Sequence, residues 1–199
     1  MKLSDETYER IKRRIADVFE DYGIKEIPVD VFEIARKMKI KIVFASEILK
    51  KHPEKIDQYC LYKYPPSYMY YDSNTQKFIV YIDDVGAKIE RQRFSLAHEL
   101  MHIILGHNEQ NPKNESEANF GATYILAPTS LALLRPGEQS LLVPEKIARL
   151  FGVSVSEAEI VARYNSRRLS LTGLKEKDYE RKLNSLLEES LNVKLSEFH

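Results

Sequence analysis

The chain has a single cysteine, Cys60, so it can build neither a disulfide framework nor a cysteine-ligated zinc site. It has no charge excess: 30 Lys and Arg are matched by 30 Asp and Glu. A protein held on nucleic acid by its overall field is therefore not expected. No apolar run approaches the length of a membrane span, so no membrane contact is expected. The opening MKLSDETYERIKRR is charged and lacks an apolar core, so no secretory signal is read there and a cytoplasmic protein is expected. Internal repeats and low-complexity tracts are also missing. What is left, in 199 residues, is one domain, or one domain with a helical appendage.

Against that background one stretch stands out, RQRFSLAHELMHIILGH, residues 91–107. His98, Glu99 and His102 spell HExxH, a zinc-protease signature when it lies on a helix. With 5 histidines in the chain, composition alone yields the motif about once in a hundred such sequences. Residues four apart on a helix differ by ~40° in azimuth, so His98 and His102 can aim at one metal ion. Glu99 lies ~100° further round, where a carboxylate serves better as a base toward water than as a ligand. Leu96, Leu100, Ile103 and Ile104 share the helical spacing, and Gly106 is a stop signal. His107 is nine residues from His98 and extrapolates to nearly the opposite face of that helix. It is therefore not expected as a ligand. The long H-E-x-x-H-x-x-G-x-x-H form is excluded, because Leu105 and Asn108 stand at its glycine and third histidine.

The third ligand must come from elsewhere. ESEANFGATYILAP, residues 115–128, reads as a small-residue helix ended by Pro128, with Glu115 and Glu117 in its first turn. Glu115 is the choice. Asn119 lies four residues on, on the same face, where its amide oxygen can accept the other ring N–H of a ligand histidine. Glu117 has only Gly121 at that spacing. Arg91 and Arg93 precede the motif as candidates for a substrate carboxylate, or as a solvated or ion-paired face. Tyr81 and Tyr124 are near enough in sequence to be weighed as oxyanion donors.

Around this centre, residues 4–22 and 30–38 read as helices, capped by Ser4 and Asp30. KIKIVF, residues 39–44, reads as a strand. QYCLYKY, residues 58–64, is another candidate strand, and SYMYY and KFIVYI form a hairpin. The hairpin's second strand, residues 77–82, leads into the motif helix and is the expected exposed edge at the cleft. The remainder reads as helical. IARLFGVSVSEA has a helix-turn-helix cadence, but Glu157 and Glu159 in its second helix oppose a polyanion, so direct nucleic-acid binding is not expected. Arg163, Arg167 and Arg168 read as a solvated helix end.

RQRFSLAHELMHIILGH followed by ESEANFGATYILAP closely resembles the ImmA/IrrE metallo-endopeptidases, and the likeness runs roughly over residues 24–165. Two departures stand out: Met101 where the family usually has Gly, and Ala127-Pro128 where it has Met-Pro or Leu-Pro. The resemblance implies an α+β, zincin-like catalytic domain over residues 1–135, with a small mixed or antiparallel sheet and the HExxH helix. A mostly helical part, 136–199, would pack on the same core. It also implies a zinc endopeptidase with His98, His102 and Glu115 as ligands, Glu99 as base and Asn119 in support. The gluzincins, to which the family is similar, place a ligand Glu four residues before such a supporting side chain. The implied substrate is a helix-turn-helix transcriptional repressor, often of a mobile element or prophage. The alternatives are a non-catalytic zinc-containing regulator that binds protein or DNA through its helical half, and a toxin or stress-response protease on the same scaffold.

Overall fold

A computed structural model describes residues 2–55, 66–128, 130, 143–172 and 175–197. The architecture is α+β. Among the described residues, eight α-helices surround a three-stranded mixed sheet.

Helix α1 (Asp5–Asp21) starts where Ser4 Oγ accepts the Thr7 N–H at 3.2 Å, and it buries Ile11, Ile15, Val18 and Phe19. Asp30 caps α2 (Val31–Lys37) through the Phe32 and Glu33 amides. Strand β1 (Lys41–Phe44) runs directly into α3 (Ala45–Lys51). The hairpin follows as β2 (Ser67–Asp72) and β3 (Lys77–Ile82), paired from Ser67↔Ile82 to Asp72↔Lys77. The candidate strand QYCLYKY lies outside the described residues.

The sheet order is β1-β3-β2, with β1 parallel to β3 and β2 antiparallel to it. This corrects the expected edge. β3 is the central strand, paired on both sides, and Val80 and Ile82 are fully buried. The edge beside the motif helix belongs to β2, because β1 takes the other flank of β3, pairing with residues 38 positions further along the chain.

Helix α4 (Ile89–Leu105) carries HExxH and ends at Gly106, whose φ of 68° is the left-handed turn that glycine adopts without strain. Helix α5 (Pro112–Leu126) begins three residues earlier than the acids implied: Asn111 Oδ1 caps it and Pro112 occupies the first turn. Glu115 therefore sits in regular helix, its N–H bonded to the Asn111 carbonyl.

Helices α4 and α5 pack so closely that a Cβ placed on Gly121 would lie 2.6 Å from Met101 Cε. Met101 is fully buried there. The bulk added on one helix is absorbed by the missing side chain on the other. Met101→Ala should cost about 2–4 kcal/mol as a cavity. Gly121→Ala should cost about 1–3 kcal/mol by overpacking. The double variant should lose clearly less than the two single losses combined, because the new methyl enters the vacated volume. Urea unfolding of all four proteins measures the coupling, and strict additivity would show that the two positions do not share space.

Three further helices follow among the described residues: α6 (Pro144–Phe151), α7 (Val155–Thr172) and α8 (Asp178–Ser196). Ile147, Leu150, Ala158, Val161, Leu183 and Leu187 join the same buried cluster as α1, α4 and α5. The start of α7 faces α5, where Thr123 Oγ1 donates to Glu157 Oε1 at 2.6 Å. That end of the helix-turn-helix-like pair is occupied by protein. Arg168 is not solvated as expected. It is buried and bound to Glu180 and to the Lys175 carbonyl, which joins α7 to α8. No described helix is long and apolar enough to cross a membrane.

Candidate metal centre

The α4–α5 crossing brings His98, His102 and Glu115 together, and one donor atom from each lies within 4.8 Å of the others. The imidazoles face each other through Nε2, 3.1 Å apart. Glu115 Oε2 stands 3.3 Å from His98 Nε2, and Oε1 stands 3.5 Å from His102 Nε2. Two ligands bonded at ~2.0–2.1 Å to a tetrahedral zinc ion stand ~3.3 Å apart, so these separations suit such an ion. Glu117 is not part of the group. It is buried on the far side of α5, against Arg10 and His107.

Burial favours the neutral form of both imidazoles. His98 Nδ1 lies 3.1 Å from Asn119 Oδ1, an acceptor, so its proton is on Nδ1 and Nε2 presents a lone pair. Burial pushes the His98 pKa down, against the pull of Glu115. Burial lowers His102 to about 4, helped by the neighbouring His98 and His107. Neutral imidazole is the metal-binding form. Two lone pairs and a carboxylate converging on one point form a donor set that a cation satisfies. The residues fit a zinc ion.

Glu99 is on the adjoining wall. Burial pushes its carboxyl up to about 7, against the Ser67 hydroxyl, which donates to Oε1 at 2.8 Å. The Met69 N–H on the β2 edge also donates to it. The cleft around these groups has a volume of about 420 Å³ and is flanked by Tyr68 and Met69 from β2, Phe94 from α4, and Asn108 to Gln110 beyond it.

The IrrE N-terminal-like domain family, Peptidase_M78, matches residues 35–162, well over half of the sequence. The chain belongs to this family. Its membership makes this a metallopeptidase-family protein, and the His98, His102 and Glu115 group is where such a protein could hold its metal. Among curated proteins, none is similar enough to add to that assignment.

Other expected site residues are placed elsewhere. Tyr124 is buried beside Phe120 with Lys12 over its ring, and Tyr81 is buried under Tyr68. Neither lines the cleft, so neither is the oxyanion donor. Arg93 turns away from the cleft and binds the carbonyls of Val29, Phe151 and Gly152, while Arg91 stays exposed. His107 does not take the opposite face. Gly106 ends the helix and reverses the chain, and the His107 ring packs behind His102 with centroids 5.0 Å apart. Ser67 escaped the sequence reading because it belongs to β2, whereas the sequence pointed to β3 as the neighbour of the cleft.

Proposed function

We propose that this protein is a zinc endopeptidase that acts on a protein substrate, a helix-turn-helix transcriptional repressor. The observation that carries the catalytic part is the shared cleft: two neutral imidazole Nε2 atoms and Glu115 converge beside the buried Glu99. When bound, zinc supplies Lewis acidity, which acidifies water and polarises a carbonyl oxygen. Ser67 and Met69 hold Glu99 against the cleft wall. Held near neutrality by burial, Glu99 can take a proton from the attacking water and return it to the departing amine. A base of this kind has no use in a purely structural zinc site.

The choice of a protein substrate is supported by the β2 edge. It runs along the cleft unpaired on that side among the described strands, which suits an extended peptide adding as a strand. The choice of a repressor rests on the resemblance to the ImmA/IrrE peptidases.

The test loads the purified protein with zinc, measures metal content, and incubates it with a panel of helix-turn-helix repressors from the same genome, using a free dipeptide as a control. The expected result is about one zinc per chain and cleavage of the repressor with little turnover of the dipeptide. Zinc binding without cleavage of any protein would remove the peptidase reading, and equal cleavage of the dipeptide would remove the extended-strand reading.

A further inference from the structure

Behind the second histidine lies a chain of polar groups that the peptidase reading does not use. His107 Nδ1 is 3.0 Å from His102 Nδ1, and its Nε2 is 3.4 Å from Glu117 Oε2. Glu117 is only 3 % exposed and is ion-paired with Arg10 of α1. Lys113 stands 3.9 Å from its other oxygen. We infer that His107, Glu117 and Arg10 are positioning residues that set the tautomer and orientation of His102 for the metal. The inference rests on the zinc site proposed above.

Hydrogen bookkeeping leaves one arrangement. His102 must present a lone pair at Nε2, which faces His98 and Glu115, so its proton is on Nδ1. That N–H points at His107 Nδ1, which must therefore accept. The single proton of neutral His107 is then on Nε2, directed at the Glu117 carboxylate. A buried carboxylate is costly without a partner, and Arg10 reaches in from a half-exposed position to neutralise it. Each link is oriented by the next, from the surface of α1 to the back of the ligand. The same logic serves His98 through a single neutral partner, Asn119. The two histidines are thus supported by different means, and only the His102 support crosses from α5 to α1.

A merely structural reading treats Arg10–Glu117 as a tie between helices and His107 as filler. The two readings separate on metal binding. Zinc affinity is measured by competition with a chromophoric chelator, and the visible bands of the cobalt(II)-substituted protein report ligand geometry. Unfolding is followed alongside by circular dichroism. His107→Phe keeps the volume and removes both hydrogen bonds. It should weaken zinc binding by about 10-fold or more, within the range for outer partners of metal ligands, and shift the cobalt bands. His107→Gln can accept from His102 and donate to Glu117, and should recover most of the affinity. Arg10→Met, at a half-exposed position, should give a smaller loss of the same sign, and it carries the test if His107→Phe does not fold. Unchanged zinc affinity and cobalt spectrum in folded His107→Phe or Arg10→Met would overturn the inference, as would His107→Gln binding no better than His107→Phe. Failure of the unaltered protein to bind zinc would instead overturn the metal site itself.

Discussion

Glu99→Gln should leave a folded, zinc-binding protein that no longer cuts its substrate. The amide keeps the shape of the side chain and can still accept the Ser67 hydroxyl and the Met69 N–H through its oxygen. What it cannot do is accept and return a proton. A positioned general acid–base contributes about 10²–10⁴-fold, and the fall in kcat should be of that order with KM little changed. Cleavage assays at saturating zinc, with metal content measured on the same samples, check this. Cleavage at near the original rate would remove Glu99 from the chemistry. Loss of zinc along with activity would move it into the ligand set instead.

Glu115→Ala should have the largest effect on the metal. It removes the carboxylate that, among the described residues, stands against both Nε2 atoms, at 3.3 and 3.5 Å. Zinc affinity should fall by more than about 100-fold, beyond the range for outer partners. The loss is also readable without a substrate. A ligand present at 100 times its dissociation constant stabilises the folded state by about 2.7 kcal/mol, so the unaltered protein should melt at a higher temperature with zinc than with chelator. In Glu115→Ala that difference should nearly vanish. Glu117→Ala should keep most of it, because Glu117 stands outside the group and is separated from His102 by His107. If the two variants trade places, the ligand is Glu117.

What could be read in advance follows from range in sequence. The motif helix, the β2–β3 hairpin and the acid that α5 places beside the two histidines all declare themselves within a few turns or a few residues, through periodicity, caps and stops. The capping of α1 by Ser4 and of α2 by Asp30 is of the same kind. Features that depend on contacts across the chain were not readable. β1 pairs parallel with β3 at a sequence separation of 38 residues, and that pairing decides which hairpin strand is the edge. The sequence leaves Arg93 open between a substrate carboxylate and a solvated or ion-paired face, whereas in the fold it binds the carbonyls at the end of α6, nearly 60 residues on. Helical periodicity sends His107 to the opposite face, but Gly106 ends the helix before it. Ser67, the partner of Glu99, lies 32 residues before it and carries no motif.

The Met101–Gly121 contact has a consequence for how this site can diverge. One helix carries the first two proposed ligands and the other carries the third, and the spacing between those helices is set by one large side chain lying over one absent one. Replacement of Met101 alone leaves a hole, and a side chain at residue 121 alone makes a clash. Either change would also alter the distance at which Glu115 meets the histidines. The two positions are therefore bound by epistasis: a lineage can exchange bulk between the helices only through paired or compensated steps, although neither side chain lines the cleft.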